Sequence, residues 1–193
     1  MKPFISARVP RAALVLSLAV VAAGVLIAQE QNSRPLRERT LFNENFGSFR
    51  VALTPAVLKV LLETTRAQQG LKDAKPSQRK NPARLFRAAE SHLYAHDEID
   101  LVVMGIFPMS GADNTWFWVV RSAQKDPRVV LFAGGNSIQM LTRRTNGYRD
   151  IRCDWSSAAI TTIDIYKFDG TEYRLRSSKA TNNGTGETLT KQF

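Results

Sequence analysis

The chain has only two histidines, His92 and His96, which stand four residues apart. On a helix this spacing would place both imidazoles on one face, an arrangement that suits a zinc ion. The Glu that follows the first His of a zinc-protease helix is missing, however. On a strand the two rings would lie about 13 Å apart. We therefore predict surface or turn histidines and expect no metal and no cofactor.

No nucleophile has a recognisable partner in the sequence. Ser110 lies in a Met-Ser-Gly-Ala stretch rather than in a Gly-x-Ser-x-Gly turn. Cys153 is the only cysteine, and in an alternating strand it shares a face with Ile151 and Trp155. We expect this lone thiol to be buried and inert. The sequence leaves an enzymatic role uncertain and favours a protein without one.

The candidate binding site consists of four arginines, Arg143, Arg144, Arg149 and Arg152, which flank the turn Asn146-Gly147. Asn-Gly is the strongest short signal for a hairpin, and antiparallel pairing would bring several of these charges close together. A sheet tolerates such neighbours more readily when they project into water or meet an anion. The pattern predicts a site for an envelope protein or an anionic polysaccharide.

The charge of the whole chain agrees with an anionic partner. The formal net charge is +10, and Lys2, Arg8 and Arg11 contribute three of these charges within the first 28 residues, which contain no acid. A strongly basic protein favours anionic surfaces in general. The alternative is that the excess Lys and Arg only keep an exported protein soluble, which the spread of the charge along the chain favours. No recognised DNA or RNA motif is present, so we expect no nucleic-acid partner.

The first 28 residues have the pattern of an export signal. Met1–Arg11 is basic, and Ala12–Ala28 is an apolar run broken only by Ser17. A positive flank followed by an apolar core and small residues is typical of a secretory signal peptide, which predicts a periplasmic or secreted protein. A retained N-terminal membrane anchor remains the alternative. In that case only this segment would contact the membrane.

Beyond this leader the chain is long enough for one domain with a hydrophobic core. Residues 29–40 are polar and charged and predict a tether, whereas residues 41–180 are expected to form a single α+β domain. Residues 181–193 are rich in Asn, Gly and Thr and predict a flexible tail.

One helix is expected at the beginning of this domain. Thr54-Pro55 is a strong helix start, apolar residues follow at helical spacing, and Gly70 supplies a stop, so the helix should span about 55–69. The stretch Gly70–Pro82 is expected to be an exposed, mobile loop. Its cations could dock on an anionic surface, but such a charge run is usually only solvated.

Strands and turns are expected from residue 99 onward. Arg84–Tyr94 fits either a second helix or a strand. Apolar and β-branched runs predict strands at Ile99–Phe107, Trp116–Arg121, Val129–Ala133, Ser137–Arg143, Tyr148–Trp155, Thr161–Phe168 and Tyr173–Ser178. The short connections between them permit only antiparallel neighbours. The predicted fold is therefore a helix packed on a meandering antiparallel sheet.

Several of these segments resemble a recurrent module of exported bacterial proteins. The resembling stretches, in chain order, are His96–Val103, Ser110–Asn114, Trp116–Val119, Asn146–Ile151 and Tyr166–Tyr173. The resemblance implies an envelope location and an antiparallel sheet, and it implies no particular reaction.

These observations together predict an exported bacterial envelope protein that acts as a non-enzymatic binding module. Two alternatives stay open. The first is a secreted hydrolase or hydrolase inhibitor, for which Met109–Thr115 would be the exposed inhibitory loop. The second is a membrane-tethered structural component whose retained N-terminal segment matters more than any site.

Overall fold

The structure is a computed structural model that describes residues 40–43, 49–94, 98–111 and 114–193. The predicted leader, residues 1–28, lies outside the described residues, and so does the predicted tether except for Thr40. The backbone carbonyl of Thr40 accepts a hydrogen bond of 2.7 Å from the amide of Met140, which fixes the start of the described chain.

Antiparallel sheets dominate the described chain, as the sequence predicts, but they number two rather than one. The strands are β1 (Leu41–Asn43), β2 (Phe86–Ser91), β3 (Asp100–Gly105), β4 (Thr115–Arg121), β5 (Arg128–Gly135), β6 (Ser137–Thr145), β7 (Tyr148–Ser156), β8 (Ile160–Phe168), β9 (Tyr173–Asn182) and β10 (Thr188–Gln192). One sheet has the order β2-β3-β4-β5, and the other has the order β1-β6-β7-β8-β9-β10.

The four-stranded sheet is buried on both faces, which explains the apolar run in β4. Phe117 and Val119 lie in a core shared with the six-stranded sheet, where they join Met140 and Ile151. The intervening Trp118 belongs to a second core on the opposite face. Because neighbouring side chains of a strand point to opposite faces, a strand between two cores is apolar at nearly every position.

The first two of the three short helices described pack on the outer face of this sheet, and the single helix predicted at 55–69 is wrong in its extent. The helices are α1 (Pro55–Leu62), α2 (Thr65–Asp73) and α3 (Pro76–Lys80), followed by a 3-10 helix at Pro82–Leu85. The break comes at Thr64, whose Oγ1 caps α2 by accepting a hydrogen bond of 3.3 Å from the amide of Ala67. The helices come after β1 and form a minor part of the fold.

Gly70 does not end a helix, contrary to the prediction, because it serves a close contact inside α2. A Cβ atom at Gly70 would lie 2.5 Å from Sδ of Met109 and 3.0 Å from the carbonyl oxygen of Pro108, so a larger residue would force this turn or the Met109 side chain to shift. The prediction of an exposed, mobile loop at Gly70–Pro82 is also wrong. The end of α2 and the whole of α3 occupy most of it.

Two segments whose structure the sequence left open or predicted to be flexible contain strands. The ambiguous segment Arg84–Tyr94 contains strand β2, which pairs with β3 from Phe86 to Ser91. The predicted flexible tail, residues 181–193, instead contains β10, which pairs antiparallel with β9. The sequence of this tail is polar because β10 is an exposed edge strand and not because it lacks structure.

Candidate functional site

The predicted hairpin between β6 and β7 is present, and its turn has the backbone that Asn-Gly favours. Asn146 and Gly147 have φ angles of 51° and 83°, as a tight hairpin turn requires. Arg144 and Arg149 stand directly opposite each other across the two strands. The structure thus brings together two of the four predicted binding residues.

Arg144 directs its guanidinium at the protein's own backbone. Its Nη1 atom donates hydrogen bonds to the carbonyl oxygens of Leu93, Tyr94 and Gly147, at 2.9, 2.9 and 2.8 Å. Two of these carbonyls belong to the connection after β2, and the third belongs to the hairpin turn. Arg144 therefore joins the two sheets at this end of the molecule.

Arg149 is held in the same contact region. Its amide donates to the carbonyl of Leu93, and its own carbonyl accepts a hydrogen bond of 2.8 Å from the hydroxyl of Tyr173. Burial, and then the neighbouring positive charge of Arg144, lower the pKa of the Arg149 side chain. Nε of Arg149 is buried and has no hydrogen-bond partner among the described residues, so its positive charge is not compensated there.

The other two predicted arginines face acids of the same hairpin. Nε of Arg143 lies 3.4 Å from Oδ2 of the buried Asp150, whose Oδ1 accepts a hydrogen bond from Thr145. Nε of Arg152 donates to Oδ1 of Asp154 at 2.7 Å. Arg144 and Arg152 thus donate to carbonyl and carboxylate groups of the protein itself, and Arg143 forms an ion pair with Asp150.

A second group of cations lies in the helical layer and has no such partners. We call it the helical basic surface: Lys72, Lys75, Arg79, Lys80 and Arg84, all of them exposed. None of the five forms an ion pair with another residue that the structure describes. By contrast, Lys59 lies 4.0 Å from Glu63, and the guanidinium of Arg66 stacks near the ring of Phe132.

The helical basic surface also carries most of the charge imbalance of the domain. Residues 55–85 contain seven Lys or Arg and two Asp or Glu, whereas residues 86–193 contain 13 and 12. The sheets are therefore nearly neutral, and the helical layer has a surplus of five positive charges. Sequence reasoning placed Lys72, Lys75, Arg79 and Lys80 in an exposed loop that could dock on an anionic surface, and it favoured simple solvation of their charges. This local excess was the signal that could have identified them.

The remaining candidate residues have structural positions. Cys153 is buried between the sheets, as expected, and burial raises the pKa of its thiol. His92 lies in the connection after β2, but it is buried rather than on the surface, with Nδ1 2.7 Å from the carbonyl oxygen of Glu98. His96 lies outside the described residues. Within the described ranges no group of three or more His, Cys, Asp or Glu could hold a metal ion.

The segment Met109–Thr115, predicted as an exposed inhibitory loop, is anchored at both ends. Met109 and Thr115 are buried, and Ser110 and Gly111 are half-buried. Ala112-Asp113 lies outside the described residues. The exposed residue of this region is Phe107, just before the predicted loop.

Neither of two depressions lined by described residues resembles an enzyme pocket. The first has a volume of about 20 Å³ and is lined by Glu98, Ile99, Ser122, Gln124 and Lys125. It has room for little more than a water molecule. The second is a shallow, open depression of about 380 Å³, lined by Ile160, Ala180, Thr181, Asn182, Glu187, Thr188 and Leu189.

Comparison with protein-family models, curated proteins and solved structures finds no match to this chain. Among the helices that the structure describes, none has the length and apolar character needed to cross a membrane.

Proposed function

We propose that the protein is an exported, non-enzymatic binding module of the bacterial envelope that holds an anionic partner on its helical basic surface. Export is inferred from residues 1–28, with their basic flank and apolar run. The binding role follows from the surface charge of the domain. The resemblance of several segments to a module of exported proteins agrees with this proposal.

The observation that carries the proposal is the set of five exposed cations between Lys72 and Arg84 that form no ion pair with a described residue. Lys75 and Arg79 stand four residues apart at α3, and like charges at this spacing repel one another, so a bound anion would remove that penalty. The predicted binding role of Arg143, Arg144, Arg149 and Arg152 stays a prediction. The side-chain contacts of Arg143, Arg144 and Arg152 with Asp150, Asp154 and backbone carbonyls favour the helical residues as the binding site.

Retention on immobilised heparin, a strongly anionic polysaccharide, tests this function. The triple variant Lys72→Gln, Lys75→Gln, Lys80→Gln should elute at a much lower salt concentration than the native protein. The matched control changes three exposed lysines elsewhere, Lys125→Gln, Lys179→Gln, Lys191→Gln, and loses the same net charge. It should elute close to the native protein. Equal shifts of both triple variants would mean that only the net charge matters, and the proposal would be wrong.

A further inference from the structure

We propose that the anionic partner is the surface of a lipid membrane, and that Phe107 inserts among the headgroups beside the helical basic surface. This inference rests on the proposed function and names the chemistry of its partner. It requires an apolar contact in addition to the charges, and the structure supplies one.

Phe107 is the most exposed large apolar side chain that the structure describes, at 71% of its full accessible area. An isolated exposed apolar residue is common on protein surfaces and by itself indicates nothing. The position of Phe107 is more informative, because the turn that carries it is attached to the elements that carry the cations.

Three contacts fix this turn against the helical layer. Nε2 of Gln78, in α3, donates a hydrogen bond of 3.3 Å to the carbonyl of Phe107. The amide of Ile106 donates to the carbonyl of Leu85 at 2.8 Å. Met109 is fully buried and lies against Gly70 in α2. The aromatic ring is therefore presented on an ordered turn beside the helical basic surface.

The cations lie on the same elements as these contacts. Lys75 and Arg79 are within three residues of Gln78, and Arg84 immediately precedes Leu85. Proteins that bind at membrane interfaces combine Lys and Arg, which attract anionic headgroups, with an aromatic residue that enters the headgroup region. An anionic polysaccharide would use the cations but would gain little from the ring.

The expected contributions of the two parts are different in size. Each Lys or Arg near an anionic bilayer contributes about 1 kcal/mol, which is about a fivefold change in affinity. Removal of three lysines should therefore weaken binding about a hundredfold. Partial burial of one Phe side chain should contribute about tenfold.

Co-sedimentation with lipid vesicles tests the proposal on the full exported protein. The vesicles contain equal parts of phosphatidylglycerol and phosphatidylcholine, with pure phosphatidylcholine as the neutral control. Phe107→Ser should weaken binding to the anionic vesicles about tenfold and leave the elution from heparin unchanged. Phe107→Trp should restore binding. Bromine atoms on the lipid acyl chains should quench the tryptophan fluorescence of the Phe107→Trp variant more strongly than they quench the tryptophan fluorescence of the native protein.

The outcomes separate this inference from the function on which it rests. If the native protein is retained on heparin but does not sediment with anionic vesicles, the partner is a polymer and the membrane proposal fails alone. Unchanged vesicle binding by Phe107→Ser would also overturn it. If neither heparin nor anionic vesicles hold the native protein, the proposed function itself fails.

Discussion

The helical basic surface and the β6–β7 hairpin are both rich in cations, but they use them differently. Around the hairpin turn, Arg144 donates to three backbone carbonyls, and Arg143 and Arg152 face Asp150 and Asp154. Between Lys72 and Arg84, the five cations of the surface face solvent. The comparison teaches that a basic cluster indicates a binding surface only where the fold does not already use its charges.

The largest expected effect is a loss of stability on substitution in the β6–β7 hairpin turn. A valine at Gly147 would be strained at a φ of 83°, and its Cβ would lie 2.6 Å from the ring of Tyr94. Gly147→Val should therefore lower the free energy of unfolding by about 3 kcal/mol, measured by urea denaturation.

Gly170→Val is the matched control for this substitution. Gly170 also has a positive φ, 114°, but its Cβ would meet nothing within 4 Å. Only strain should act there, with a loss of about 1 to 2 kcal/mol. Equal losses at both positions would mean that the contact between Tyr94 and the turn contributes nothing.

The next effect separates a structural cation from an exposed one. Arg144→Ala leaves the carbonyls of Leu93, Tyr94 and Gly147 without their shared donor, and it should lower the free energy of unfolding by about 2 kcal/mol. Lys72→Ala, on the helical basic surface, should change it by less than about 0.5 kcal/mol. A stable Arg144→Ala variant would contradict the structural role that we assign to this residue.

Much of the sheet could be predicted from the sequence because its signals are local. Asn146-Gly147 and the alternating runs around it set the hairpin, and the apolar run at Trp116–Arg121 indicated a strand. The division into two sheets could not be predicted, since it depends on which faces pack together. The break at Thr64 was equally hidden, because its hydroxyl also accepts a hydrogen bond of 3.1 Å from Nε1 of the distant Trp118.

The candidate site was also hard to predict, because its contacts join residues that are far apart in the sequence. Sequence spacing brings Arg144 and Arg149 together correctly, but it does not show that carbonyls some fifty residues away, at Leu93 and Tyr94, would engage Arg144. Conversely, the prolines and charges of residues 70–82 indicated a loop. The helices there hold the cations in an ordered layer.

The smallest expected effect concerns the stability of the helical basic surface. The triple variant Lys72→Gln, Lys75→Gln, Lys80→Gln has fewer unpaired charges that repel one another. Its free energy of unfolding should therefore equal that of the native protein or exceed it by about 0.5 kcal/mol at low salt. The gain should disappear near 1 M salt, where the screening length falls to about 3 Å. Urea denaturation at the two salt concentrations measures it. A clear loss of stability would show that these lysines support the fold.

The most direct test compares the affinities of two double variants for heparin in solution at one low salt concentration. One variant removes Lys72 and Lys80, and the other removes Arg143 and Arg152, in each case by substitution with Gln. Our account predicts about a tenfold loss of affinity for the lysine variant and little change for the arginine variant. The opposite order, or equal losses, would contradict the assignment of binding to the helical basic surface.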